Sequence, residues 1–426
     1  MKKVLIIGTV WPHHLWGGAR VPGLAKYISE FGWEPIVLTQ PLPRNLNLNY
    51  RVVEIPFNDI LISSLKLLRF DTSKSIRMQV NNKLGVTSKN SLINTIFCNL
   101  RDMLTYPDLN KGWISPALRA GDELLKKENI DAIISASPPM MVNIIAKKLT
   151  EKYEIPWIAD FPHLWSQNNY YPHGSFRMAL DTRLELKTLS TVDVLTTTSE
   201  QLAEKLRALH KGKPIYAITH GFDPDILNTV PDALADKFTI TYTGSWNPAT
   251  RRPSKLFCAL ETLIQRGNIN PNDVEVHFYG PEEGWIDDEI NKYKLTGIVK
   301  QHGRISMQDA QAKQRKSHLL FNAKMDDITN PGIHSSKLIE YLAARRPILA
   351  VGMYKDVVDE LLDKTSAGIC ASSIDEVMQA LEMMYHEYKS TGNVAWKGDD
   401  LKIGKYSHRE MAKKFSEILD GLTDRL

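Results

Sequence analysis

The sequence predicts an α/β protein built on parallel strands, with more than one core. Three observations carry that expectation. Short apolar runs at residues 4–10 (VLIIGTV), 131–137 (DAIISAS) and 348–351 (ILAV) are of the kind that buried parallel strands need. Between them lie segments with apolar residues every three or four positions, the period of helices packed on a sheet. The 426 residues also exceed one ordinary core, at roughly 150 residues per domain.

The first unit shows the pattern. Residues 4–10 open into Trp11-Pro-His-His-Leu-Trp-Gly17-Gly18. From about Ala19 the spacing of Val21, Leu24, Ile28 and Phe31 predicts a helix, Gly32 ends it, and PIVLT at 35–39 predicts the next strand. Strand, Gly-containing loop, helix and strand form one βαβ unit, and Gly17-Gly18 lets backbone approach a ligand at the helix start. Dinucleotide oxidoreductases open the same way, but they need G-x-G-x-x-G and an acid after the second strand. Gly8 stands alone and PIVLTQP holds no acid, so a nicotinamide cofactor is not expected.

Composition is that of a soluble globular protein, 43% hydrophobic and 24% charged. Cys98, Cys258 and Cys370 are far apart and odd in number, which suggests neither a disulfide framework nor a zinc site and fits a reducing cytoplasm. Lys2-Lys3 before VLIIGTV imitates a secretion leader. Pro12, His13 and His14 cut the apolar run short, so a strand is expected instead. No window reaches the 18 apolar residues of a membrane span. Asp287-Asp-Glu289 and Asp326-Asp327 lack D-x-D spacing and are expected to be loop and helix-cap acids, so no metal is called for.

Charge is uneven. From Leu61 to Ala120 nine Lys and Arg face three Asp, so this stretch carries +6 of a net +4 and the remainder −2. Interleaved with Leu, Ile, Phe and Met, it suits an anionic membrane surface, or else a solvated helical insertion. Nucleic acid is disfavoured, because no binding motif accompanies the charge.

The chain is organised around residues 330–352, NPGIHSSKLIEYLAARRPILAVG. Asn330-Pro-Gly332 is turn chemistry, Ser335 and Ser336 are N-cap residues, and Leu338, Tyr341, Leu342 and Arg345 keep a helical spacing that Pro347 stops. A loop feeding a helix start can hold an anion on backbone N–H groups and the helix dipole. Glu340, one turn in, is placed to accept two ribose hydroxyls; otherwise it is a surface acid of a first turn.

This stretch resembles the nucleotide-binding segment of glycosyltransferase family 4, in a mostly bacterial surface-polysaccharide branch reading roughly G-x-x-x-x-K-L-x-E-Y-L-A-A-x-R-P-I-L-A. Further pieces match in order: Pro107-Asp108, Asp131-Ala-Ile-Ile-Ser-Ala-Ser-Pro-Pro139, Ile155-Pro-Trp-Ile-Ala-Asp160-Phe161, and His220-Gly-Phe-Asp223, which closes the first domain. Glu185 to Val194 reads as helix into the strand 194–198. The resemblance implies a GT-B fold, two Rossmann-like domains facing across a cleft. It assigns 1–228 to an acceptor domain, 229–405 to a nucleotide-sugar domain, and 406–426 to a helix crossing back to the first.

It also implies the chemistry: a retaining transferase of the hexosyl or N-acetylhexosaminyl type, with a nucleotide sugar, UDP-linked, as donor. The acceptor would be a glycan or lipid-linked glycan in polysaccharide synthesis, at the inner face of the membrane. Gly244 and Ser245 follow the strand 238–243; many members have Arg directly after this Gly and Lys about six residues on, and here Arg251 and Arg252 are the candidate cations for the leaving diphosphate. Gly244, Ser245, Ser335, Ser336, Lys337 and Glu340 would bind donor. Gly17, Gly18, Arg20 and Asp160 would form the acceptor and phosphate loop. The branch usually reads D-F-R-D-x-W after Asp160; this chain has Pro162 and His163, which makes His163 a candidate for orienting an acceptor hydroxyl. The family's second Glu, eight residues before Glu340, is Gly332 here, so sugar recognition must come from elsewhere. Neither cofactor nor metal is expected, since cations and helix-end N–H groups can stabilise the diphosphate and that phosphate can take the acceptor proton. A GT-B sugar-nucleotide epimerase and a non-catalytic binding subunit remain alternatives.

Overall fold

A computed structural model of the chain describes residues 1–8, 20–42, 48–56, 106–168, 174–228, 233–248, 250–324, 336–352 and 356–424. It divides into two compact units: Met1–Pro12 with Ala25–Ile218 and Lys413–Leu426, and His13–Leu24 with Thr219–Ala412.

The first unit holds a seven-stranded sheet of β1 (Lys2–Gly8), β2 (Trp33–Thr39), β3 (Arg51–Glu54), β4 (Ala132–Ala136), β5 (Trp157–Phe161), β6 (Val194–Thr197) and β7 (Ile215–Ala217), in the order 3-2-1-4-5-6-7. Every pairing is parallel; Val4 to Ile7 lie beside Pro35 to Leu38 on one side and Ala132 to Ser135 on the other. Parallel strands need crossovers, and helices such as Met141–Tyr153 and Ser175–Thr188 supply them. With both faces covered, Val4, Leu5, Ile6 and Ile7 are all 0% exposed, which is why the run is continuously apolar.

The second unit repeats the design with β8 (Phe238–Thr243), β9 (Val274–Tyr279), β10 (Val299–Gln301), β11 (Leu319–Ala323), β12 (Ile348–Val351) and β13 (Gly368–Ala371), in the order 10-9-8-11-12-13. Each sheet thus runs outward from its first strand in one direction and then in the other. In such sheets ligands bind beyond the strand ends where the direction reverses, here after β8 and β11 in the second unit.

The C-terminal helix His408–Thr423 begins in the second unit and ends in the first. There Phe415 and Leu419 are buried, Asp420 accepts the Trp33 indole N–H at 3.1 Å, and Lys2 pairs with Asp424 at 2.8 Å.

Three expectations change. Asp287-Asp-Glu289 lies inside the helix Gly284–Lys292, where Glu289 accepts the Ser254 hydroxyl, rather than in a loop. The helix Ser336–Ala344 stops before Arg345, which adopts a left-handed φ of 51° and pairs with Asp400, so Pro347 is not what ends it. The helix expected over 185–194 starts earlier, at Ser175, and gives way to a 3-10 turn at Leu189–Thr191. The helix Ile114–Lys127, buried on Ala117, Gly121 and Leu124, had no counterpart in the sequence reading.

Candidate functional site

The reversal point of the second sheet gathers the strongest cluster of site residues. β8 ends at Thr243, and its end is fixed by the helix Ser336–Ala344: the Tyr341 hydroxyl accepts the Thr243 N–H at 2.9 Å. Gln314, buried on the helix Met307–Lys316, donates to the Thr243 hydroxyl at 2.9 Å. Gly244 follows with φ 131°, a value that L side chains rarely adopt. Its N–H reaches the Tyr279 carbonyl at 2.7 Å, and a Cβ on Gly280 would lie 2.0 Å from the Gly244 oxygen. Two glycines thus let the chain ends of β8 and β9 touch.

Lys337 passes across Gly244. A Cβ there would sit 2.6 Å from Lys337 Cε and 2.7 Å from Nζ, so only glycine admits the lysine. The ammonium donates to the Tyr242 hydroxyl at 2.6 Å and lies 4.0 Å from the centroid of that ring. Tyr242 is fully buried, stacks on Trp246 at 3.9 Å, and donates its own hydrogen to the Ser245 carbonyl at 2.8 Å. Arg251 is half-buried on the same turn, its N–H on the Asn247 carbonyl at 2.7 Å.

The electrostatics single out two groups. Burial pushes the Lys337 ammonium well below its ordinary range; the Arg251 charge adds to this and Glu340 opposes it. Glu340, half-buried one turn further on, is raised to about 8 by burial, against the pull of Lys337. Each group stands where its charged form is costly without a ligand. Glu340 also lines a pocket with Met307, Gln311, Gln314, Ala343 and His220.

The other expected residues fall as follows. Ser245 is exposed on the turn after Gly244. Arg252 is exposed, with its guanidinium 5.5 Å from the Trp285 ring centroid, so Arg251 is the arginine that acts on Lys337. Ser336 opens its helix, whereas Ser335, Gly17 and Gly18 lie outside the described residues, as does Gly332. Arg20 is buried and donates to the Thr219 carbonyl at 3.1 Å.

Two of the expected residues lie in the first unit. Asp160 ends up 1% exposed, accepting the Thr196 hydroxyl at 2.7 Å while its carbonyl takes the Ser137 hydroxyl at 2.9 Å. His163 is exposed in the turn after β5, between buried Pro162 and Leu164. Glu185 is buried and holds that turn by accepting the Ser166 N–H at 2.8 Å, with His210 3.0 Å from its other oxygen.

Sequence reading missed Tyr242, Gln314 and Lys324. Tyr242 read as one more apolar strand residue; its signal was the polar tip, which must find a partner when buried. Lys324, 5% exposed just past β11, pairs with Asp359 and, at 3.3 Å, with Asp356.

Residues 95–226 match the family model described as Glycosyltransferase Family 4. No curated protein matches the chain. Among solved structures it is similar to a sucrose-phosphate synthase from Thermosynechococcus elongatus, at 12% identity over all of both chains with a TM-score of 0.63. HepE from Anabaena in complex with UDP and glucose gives 13% identity over 99% of this chain and 100% of that one, TM-score 0.63. A putative UDP-N-acetylglucosamine 2-epimerase from Listeria monocytogenes gives 13% over 100% and 98%, TM-score 0.54. At these identities the likeness is one of fold. Residues 95–226 thus carry a family 4 segment, and over its whole length the chain shares the two-domain GT-B architecture of these solved structures.

Proposed function

We propose that the protein is a retaining glycosyltransferase that moves a hexosyl or N-acetylhexosaminyl group from a UDP donor to a glycan or lipid-linked glycan in surface-polysaccharide synthesis. The observation that supports this most is the cluster at the end of β8. There Gly244, Arg251, Lys337 and Glu340 combine a close backbone approach, two cations and a carboxyl group at a sheet reversal point. Breaking the sugar–phosphate bond leaves a diphosphate whose growing charge must be stabilised. Arg251 and Lys337 supply positive charge to it, the N–H groups at Ser336 supply the helix dipole, and Glu340 accepts the ribose hydroxyls. The leaving phosphate takes the acceptor proton, so neither base residue nor metal is called for. HepE holds UDP and glucose in its structure, which favours the same donor class here. Incubation with a panel of nucleotide sugars tests the reading by thermal shift: ligand at 100 times Kd adds about 2.7 kcal/mol of stability. A panel in which no nucleoside diphosphate or its sugar raises the melting temperature refutes it.

The likeness to a putative 2-epimerase gives a second reading, in which the same cluster holds a UDP-sugar that is isomerised rather than transferred. Product analysis without added acceptor separates the two, and UDP release with an acceptor excludes a non-catalytic binding subunit. The protein is further proposed to work at the cytoplasmic face of the membrane, docked by the basic stretch 61–120, of which 61–105 lies outside the described residues. Among the described residues no helix is long and apolar enough to cross a membrane. Sedimentation with anionic vesicles at low and high salt checks the docking, and no binding at low salt ends it.

A further inference from the structure

Lys337 is an unusual cation. It is 7% exposed, and among the described residues its hydrogen-bond partner is a phenol rather than a carboxylate. The geometry fixes the direction of that bond. Tyr242 gives its single hydrogen to the Ser245 carbonyl at 2.8 Å, so toward Lys337, 2.6 Å away, the hydroxyl can only accept. The phenol itself cannot shift, because its ring is clamped on Trp246 at 3.9 Å, edge-on to Phe278 at 5.9 Å, and 0% exposed. On the other side the lysine stem lies in the slot left open by Gly244.

We propose that Tyr242 is the positioning residue of the donor site: its hydroxyl tethers the Lys337 ammonium over Gly244 and ties it to the Ser245 turn, so that the cation's remaining hydrogens face the donor diphosphate. This rests on the donor reading above. One phenolic oxygen therefore joins the lysine on the helix Ser336–Ala344 to the turn that carries Arg251. It also gives the buried ammonium, disfavoured by its surroundings, a fixed acceptor.

The test is Tyr242→Phe, which keeps the ring and its stacking and removes only the hydroxyl. Two readouts are taken: the titration of Lys337 by NMR of 13Cε-labelled lysine in the ligand-free protein, and UDP affinity by calorimetry across pH 6–9. The Lys337 midpoint is expected to move down. UDP is expected to bind on the order of tenfold more weakly, with the loss growing as pH rises, because the ammonium deprotonates earlier. In a Lys337→Met background Tyr242→Phe should cost nothing further, the non-additivity of two residues acting as one. An unmoved Lys337 midpoint, or equal or tighter UDP binding by Tyr242→Phe, overturns the proposal. If the midpoint moves but wild type binds no UDP, the tether stands and the donor reading fails. Should Tyr242→Phe not fold, 3-fluorotyrosine at position 242 replaces it: its oxygen is a weaker acceptor, so a lowered Lys337 midpoint supports the tether and an unmoved one overturns it.

Discussion

Replacing Glu340 with Gln tests the donor site through its pH dependence. Burial raises this carboxyl from 4.5 to about 8, so at pH 6 only about 1% of it is ionised and at pH 8 about half. The ionised form accepts two ribose hydroxyls at roughly 0.5–1.5 kcal/mol each, together a factor of about 5–150 in affinity. In wild type that gain must be drawn from the ionised fraction. The ratio of wild-type to Glu340→Gln affinity for UDP is therefore expected to rise with pH, up to about tenfold per unit between 6 and 8, and to level off above. Losing the Glu340 charge lets Lys337 deprotonate earlier in the variant, which adds to the rise of the ratio. Stability moves the opposite way. A carboxyl raised in the folded state keeps its proton there between about 4.5 and 8, so wild-type stability falls as pH rises through that window. Glu340→Gln removes this fall and should melt higher than wild type at pH 9, relative to pH 5. Calorimetry at several pH values and melting curves in the same buffers measure both. A wild-type to variant ratio that is flat from pH 6 to 9 would refute the reasoning.

Three further outcomes are expected. Arg251→Ala should weaken UDP by a charge-assisted contact of about 1.5–3 kcal/mol while leaving the melting temperature near wild type; unchanged affinity by calorimetry removes Arg251 from the site. His163→Ala should slow transfer at sub-saturating acceptor with UDP affinity unchanged, since His163 is exposed in the first unit and the donor cluster belongs to the second; full transfer returns it to the role of a turn residue. Lys324→Met should strip Asp356 and Asp359 of their buried cation and destabilise the second unit by about 3–5 kcal/mol. Acidification to about pH 4 should recover part of that loss by protonating the carboxylates, and melting curves at two pH values show whether it does.

The sequence by itself determined the architecture. Continuous apolar runs and three-to-four spacing are local consequences of burying both faces of parallel strands, and they placed β1, β2, β4 and β12 within a residue or two. Ordered motifs such as Ile155 to Phe161 and His220 to Asp223 then pointed to the family that residues 95–226 match. Less was legible where the signal is not local. Acids at 287–289 read as loop because a charged run has no period, whereas tertiary packing puts Ile286 and Ile290 of that helix into the core. The site divides in the same way. Arg251, Lys337 and Glu340 could be named from position along the chain. That Tyr242 receives Lys337, that Gly244 makes room for it, and that Arg252 turns to Trp285 while Arg251 acts on the lysine could not. The contacts of Lys337 with Tyr242 and Gly244 join residues more than ninety positions apart, and the cost of burying a charge depends on the atoms that surround it, which only the folded chain brings together.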